Sequence, residues 1–281
     1  MISIYTNTPK QMNGCRKLVV NLFKGLNELG INFLENLSGT QTGALHGAIK
    51  KLRDKDLPEN TLVGCEIMVL PTDMPDMWGY YKNWCQPSQF VVDYMKTFKE
   101  CKDTNFYVWP VGIDTDEFKP DIKLIERDCL IYYKNVTKQT PESKIDEAIK
   151  ECEVRGLTYK VIKYGSYNED EFKHSINTSN FAIWLAGTES ENIALMEALS
   201  MDLPIYVIDE TEFKYNNFIW QGATSAPYFD NFCGMKEKNY DRLDEFMFDT
   251  QNIHSPRQYI LDNHTCAMGA QKYIDILKEC N

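Results

Sequence analysis

The chain has 281 residues, of which 43% are hydrophobic and 25% charged, and its 30 Lys and Arg against 41 Asp and Glu give a net charge of −11. This length and composition exclude a wholly disordered chain and suit about two domains, or one large α/β unit. The acidic balance argues against a nucleic-acid binder, because an acidic surface repels phosphates, but it leaves room for a local basic pocket that takes a small anion.

Elements alternate along the chain. Met1–Thr6 is a short β-rich run, followed by a polar turn. Cys15–Leu29 spaces Leu18, Val19, Leu22, Leu26 and Leu29 as on a helix, and Gly30 ends it. Ile31–Leu37 reads as a strand, Ala44–Asp54 as a helix, and Glu66–Leu70 as an apolar strand broken by Pro71. Ser88–Phe98 has a Ser cap and helical periodicity, and Asn105–Val111 is a strand ending in a proline turn. The polar stretch Val111–Lys123 is the expected linker. Beyond it, strands are predicted at Cys129–Tyr133, Thr158–Tyr164, Phe181–Leu185 and Pro204–Ile208. Helices are predicted at Glu142–Arg155, Asp170–Thr178 and Glu191–Met201, with one long helix over Ser255–Lys278. Such βα alternation calls for mostly parallel sheets covered by helices, in two successive Rossmann-like units. The expected division is residues 1–118 and 119–261, with the helix over about 262–281 packing back on the first unit.

The nine cysteines are scattered, odd in number and without a C-x-x-C, which reads as reduced thiols and neither a zinc site nor a disulfide frame. The start shows no basic-then-apolar signal pattern, and no run of about 18 apolar residues occurs. The expectation is therefore a cytoplasmic protein, with peripheral membrane contact still open. Neither G-x-G-x-x-G nor G-x-x-x-x-G-K-[ST] is present, which disfavours a dinucleotide oxidoreductase and a P-loop enzyme.

The most informative run is Phe181–Asp209, FAIWLAGTESENIALMEALSMDLPIYVID, which reads strand, turn, helix, proline turn, strand. Thr188 is the expected helix cap, with Glu191 completing a capping box, or Ser190 caps instead. The N–H groups of the first helical turn then lie at the C-terminal end of a buried strand, where a phosphate is favoured. Glu197 sits among apolar residues with no Lys or Arg within helical reach. A buried carboxylate there needs a partner from elsewhere, either a remote cation or the hydroxyls of a sugar or ribose.

Three segments together resemble the retaining GT-B glycosyltransferases (glycosyltransferase group 1, family 4). In ESENIALMEALSMDLPIYV, Glu189 and Glu197 have the E-x7-E spacing of that family, followed by a near Pro-Val at Pro204 and Val207. Asn192 and Asp202 stand where the family often has Gly. WPVGIDTDEFKP, Trp109–Pro120, resembles the inter-domain segment P-N-G-V-D-x-x-x-F-x-P. NGCRKLVVNLFKGLNELG, Asn13–Gly30, resembles the first Gly turn and helix.

The resemblance implies an α/β protein of two Rossmann-like domains facing across a cleft. Its activity would be transfer of a sugar from a UDP- or GDP-linked donor to a glycan, lipid or small-molecule acceptor with retained anomeric configuration, and no nucleic acid would be involved. It further implies that Glu189 contacts the donor sugar and Glu197 the ribose, while Ser190, Glu191, Asn192 and Ile193 offer backbone N–H groups to the diphosphate. Lys134, then Lys138, would neutralise the leaving diphosphate. Gly14 would let the backbone approach donor or acceptor, Gly165 and Ser166 would line the nucleobase, and Asp73 would contact the sugar or orient the acceptor. His46, the only first-domain histidine, is expected to be structural. No cofactor or metal is called for, and no DxD triplet suited to one is present. The alternative is a protein that keeps this fold as a binding or scaffold subunit without activity.

Overall fold

The computed structural model describes residues 1–7, 14–45, 47–64, 71–122, 124–136, 140–215, 218–250 and 254–280. The expected strand over Glu66–Leu70, His46 and Lys138 lie outside the described residues. Two compact units are present: Met1–Asp114 together with His264–Asn281, and Thr115–Asn263.

In the first unit the elements run β1 (Ile2–Tyr5), α1 (Gly14–Glu28), β2 (Phe33–Glu35), β3 (Gln41–Ala44), α2 (Ile49–Arg53), β4 (Leu62–Val63), α3 (Pro75–Tyr80), β5 (Asn83–Gln86), α4 (Gln89–Met95) and β6 (Asn105–Val108). The six strands form one sheet in the order β2-β1-β3-β4-β5-β6, all parallel. The expected helix over Ala44–Asp54 is corrected at its start. Ala44 closes a strand, and the helix begins only at Ile49. The short strands β3 and β5, QTGA and NWCQ, carry no β-branched or apolar run, so tertiary pairing and not local propensity makes them strands. Asn83, for example, opposes Asn105, whose amide donates to it at 3.0 Å.

The second unit runs β7 (Arg127–Lys134), α5 (Ser143–Val154), β8 (Tyr159–Lys163), α6 (Glu169–Asn177), β9 (Ser179–Ala186), α7 (Ile193–Ser200), β10 (Ile205–Ile208), β11 (Glu212–Tyr215), β12 (Phe218–Gln221), β13 (Gly234–Glu237), α8 (Leu243–Asp249) and α9 (Pro256–Asn263). Its parallel sheet has the order β13-β10-β9-β7-β8, and β11 and β12 pair separately as an antiparallel hairpin. The central strands β7 and β9 are buried almost throughout, which is why they read as near-continuous apolar runs. One sheet face packs Ile131, Tyr133, Ile183 and Leu185 against Ile145 and Ala148 of α5 and Phe246 of α8.

The long helix expected over Ser255–Lys278 is two helices. α9 ends at Asn263, and α10 (Cys266–Glu279) starts afresh after Thr265, whose extended backbone and side chain, accepting from Met268 N, form a new cap. α10 belongs to the first unit and lies against α1. A side chain on Gly25 would meet Cys266 O at 2.0 Å, so only glycine allows that crossing. Trp109 Nε1 donates to Gly269 O at 2.9 Å, and Asn21 Nδ2 to Gly112 O at 2.7 Å, closing the polar groups of the same contact.

Both sheets share one winding. The chain enters at an interior strand, moves one place outward, then returns to the other side of its starting strand. The direction of crossover thus reverses between β1 and β3 in the first unit, and between β7 and β9 in the second. In open α/β sheets such a reversal leaves a crevice at the strands' C-terminal ends, which is where ligands bind.

Candidate donor site at the second switch point

Lys134 ends β7 and Glu189 follows β9, so the two stand on either side of the second reversal. Their side chains form an ion pair of 2.8 Å, each mostly buried at 17% and 16% exposure. Lys134 also lies over the Tyr164 ring, 5.0 Å from its centroid. Two residues before Lys134 on the same strand face, Tyr132 opposes Trp184 and stacks on it with ring centroids 3.8 Å apart. Tyr167 Oη donates to Tyr132 Oη at 3.1 Å, and the Tyr167 ring stacks on Phe172. An aromatic layer thus underlies the Lys134–Glu189 pair.

α7 is apolar around nearly its whole circumference, and seven of its eight residues are buried, which marks a helix enclosed on all sides. Within it Ser200 Oγ donates to Phe118 O at 2.5 Å, and Glu197 is 2% exposed. Glu197 is therefore not a surface carboxylate. Its negative charge reaches Tyr167: burial first, then the Glu197 charge, push the Tyr167 hydroxyl up to about 12. Burial raises the Tyr132 hydroxyl as well, with contributions from Tyr167 and from the charge on Glu189.

The helix start differs from the sequence reading. Neither Thr188 nor Ser190 caps α7, because the helix begins only at Ile193 and Glu191 lies before it. Asn192 is the cap, and its side chain accepts from Leu195 N. It does so from a left-handed backbone with φ +65, which explains the shift. A turn that reverses through a left-handed residue places the cap there, and Asn is among the few residues other than Gly that adopt this conformation readily. Asp202, just past the end of α7, is also left-handed with φ +63. The two positions at which the sequence replaces a Gly of the resembled family are thus positions where the backbone keeps the conformation that favours Gly. With the helix beginning at Ile193, the N–H groups of Ile193 and Ala194 lie in the turn that has no intrahelical acceptor.

The turn is tied to a second loop that sequence reasoning missed. Glu189 N donates to Thr224 O at 3.0 Å, and Asn192 Nδ2 donates to Ser225 O at 2.8 Å. Thr224 and Ser225 follow the β11–β12 hairpin and carry no motif that would single them out. The remaining expected residues are placed as follows. Ser190 is half-buried and Glu191 buried in the turn. Gly165 follows β8 with φ +83 and open space around it, and Ser166 beside it is exposed. In the first unit, Gly14 opens α1 with nothing crowding it, and Asp73 is exposed in the turn before α3.

The chain matches no family model and no curated protein. Solved structures resemble it over its whole length. Sucrose-phosphate synthase from Thermosynechococcus elongatus superposes with a TM-score of 0.63 at 8% identity, covering 99% of this chain and 98% of that one. An alpha-glucosyltransferase in complex with UDP-glucose and DNA containing an abasic site gives 0.59 at 12% identity, with 98% of each chain covered. The lipopolysaccharide outer core galactosyltransferase WaaB gives 0.55 at 9% identity, with 99% of each chain covered. The chain therefore has the fold of the GT-B glycosyltransferases, built from two Rossmann-like domains. No helix among the described residues is long and apolar enough to cross a membrane.

Proposed function

We propose that the protein is a glycosyltransferase that takes a sugar from a nucleotide-diphosphate donor and transfers it with retained configuration. The observation that carries the proposal is the Lys134–Glu189 pair at the second switch point, with buried Glu197 on the helix that follows. A cation at a switch point and a helix N-terminus are both suited to a diphosphate. A buried carboxylate on the helix that follows the turn is suited to accept from the hydroxyls of a ribose or sugar.

In this reading Glu197 accepts from the ribose and Glu189 from the donor sugar. Lys134 moves from Glu189 to the diphosphate as the donor enters. The reacting sugar passes through an oxocarbenium-like state while negative charge gathers on the leaving diphosphate. Lys134 and the α7 N-terminus stabilise that charge more in the transition state than before it, which is the condition for catalysis. They occupy the role a metal fills in other designs, so the reading uses none. Lys138 is kept as a second cation, Gly165 and Ser166 as nucleobase contacts, and the first unit, with Gly14 and Asp73, as the acceptor side. The acceptor is a glycan, lipid or small molecule.

The test is incubation with a panel of UDP- and GDP-linked sugars, with water and added simple sugars and glycosides as acceptors, following donor consumption and the anomeric configuration of the product by NMR. Consumption of one donor, with a product of retained configuration and turnover lost in Glu189→Ala, is the expected result. No consumption of any donor, or equal turnover in Glu189→Ala, would count against the reading.

A further inference from the structure

The turn between β9 and α7 is held from outside at three points by one short loop, Thr224–Ala226. Ser225 Oγ donates to Ala186 O at 3.0 Å where the turn begins. Thr224 O accepts from Glu189 N at 3.0 Å in its middle. Ser225 O accepts from Asn192 Nδ2 at 2.8 Å where it ends. A left-handed residue and buried polar side chains make such a turn costly on its own, so its shape depends on this grip.

The loop is in turn hooked by a single carboxylate oxygen. Asp209 Oδ1 accepts from Thr224 Oγ1 at 2.8 Å and from Ser225 N at 2.7 Å. The neighbouring Glu210 N donates to Ser225 Oγ at 2.9 Å. On the far side Lys236 Nζ donates to Thr224 Oγ1 at 3.2 Å and to Ala226 O at 3.4 Å. The β11–β12 hairpin separates Asp209 from Thr224 in sequence, and the bond from Gly222 N to Thr211 O, 3.1 Å, closes its base and brings the two together.

We infer that Asp209 is a positioning residue for the donor: through the Thr224–Ala226 loop it fixes the turn that carries Glu189 and Asn192. The inference rests on the reading of that turn as the donor site. Both of its bonds use one oxygen, and an amide keeps that oxygen. Asp209→Asn therefore retains the hook, whereas Asp209→Ala removes it. A role through charge would instead be lost in both variants.

The experiment uses the full-length protein, with UDP and GDP titrated calorimetrically into wild type, Asp209→Asn, Asp209→Ala and the milder Thr224→Val. Hydrogen exchange over residues 186–195 is measured on the same samples without nucleotide. We expect Asp209→Ala to weaken nucleotide binding by about tenfold or more, in line with the loss of the two hydrogen bonds that Oδ1 accepts. Exchange across the turn should rise with it. Thr224→Val should show a smaller loss in the same direction and covers the case in which the alanine variant does not fold. Asp209→Asn should stay close to wild type in both measurements. Equal binding and equal exchange in Asp209→Ala, or in Thr224→Val should the alanine variant not fold, would overturn the inference while leaving the donor site standing. So would an Asp209→Asn variant as impaired as Asp209→Ala. Failure of wild type to bind either nucleotide would sink the donor reading instead, and the exchange data would then decide the clamp alone.

Discussion

Asn192 gives the sharpest test of how the α7 turn is built. Replacing it with Ala removes the cap on Leu195 N, worth about 1 kcal/mol. The change also removes the buried bond to Ser225 O, worth about 1 kcal/mol more, and forces a Cβ-bearing residue without a local hydrogen bond into the left-handed region, again at about 1 kcal/mol. The sum is a destabilisation of about 3 kcal/mol. Replacement with Gly loses the same bond to Ser225 O but only a few tenths at the cap, and carries no left-handed cost. The added freedom of the unfolded chain contributes about 0.5 kcal/mol, for a total near 2 kcal/mol. The ordering is the reverse of what helix propensity alone would give, since Ala is the better helix former. The assay is urea denaturation read by hydrogen exchange in β9 and α7, which reports on the second unit alone. Equal stability of Asn192→Ala and Asn192→Gly, or an alanine variant more stable than the glycine one, would refute this account of the turn.

Lys134→Ala should lower turnover by about a hundredfold to a thousandfold with a smaller change in donor KM, as for removal of a group that stabilises developing charge; a rise in KM alone would make Lys134 a ground-state contact only. His264, a buried residue that follows α9 in the chain, has its imidazole held down to about 4 by burial. Its folded value lies below the unfolded one of about 6.5, so the unfolded chain binds the extra proton first, and stability that is complete above about 6.5 falls as the pH drops towards 4. The loss should approach about 3 kcal/mol across that window and flatten in His264→Gln; a slope equal in both proteins would contradict it. Arg257 donates to Ser200 O at 2.6 Å, Phe118 O at 3.2 Å and Thr115 O at 3.2 Å. Arg257→Ala should destabilise the second unit by about 2–3 kcal/mol through loss of these bonds, with Phe118 O keeping only the Ser200 hydroxyl as donor, read by chemical denaturation, and a change under 0.5 kcal/mol would show that water replaces the guanidinium.

The long central strands and the amphipathic helices were legible in the sequence, because burial on both sheet faces leaves continuous apolar runs and one-sided burial leaves helical spacing. FAIWLA and LVVNLFKGL are of these kinds. QTGA and NWCQ are not. They are strands because their neighbours need edges to pair with, and nothing in their side chains says so. The break at His264–Thr265 was hidden because both halves share helical spacing, and only the Thr265 cap separates them. At the site, the resemblance singled out Lys134 and Glu189 individually, but their contact joins positions 55 residues apart and follows from strand order. The shift of the cap to Asn192 could not be read from side-chain types, since Thr188 and Ser190 are equally good caps in the abstract. Backbone handedness decided among them. Asp209, Thr224 and Ser225 left no signal, because the hairpin between them conceals that they meet.

In the proposed function the turn after β9 and the acid on α7 receive a nucleotide diphosphate. Calorimetric titration of UDP and GDP into wild type and Glu197→Ala tests it directly. One of them should bind wild type saturably, and removal of the carboxylate should weaken that binding at least tenfold, as befits loss of a buried charged hydrogen-bond acceptor. Identical affinity in the two proteins would contradict it.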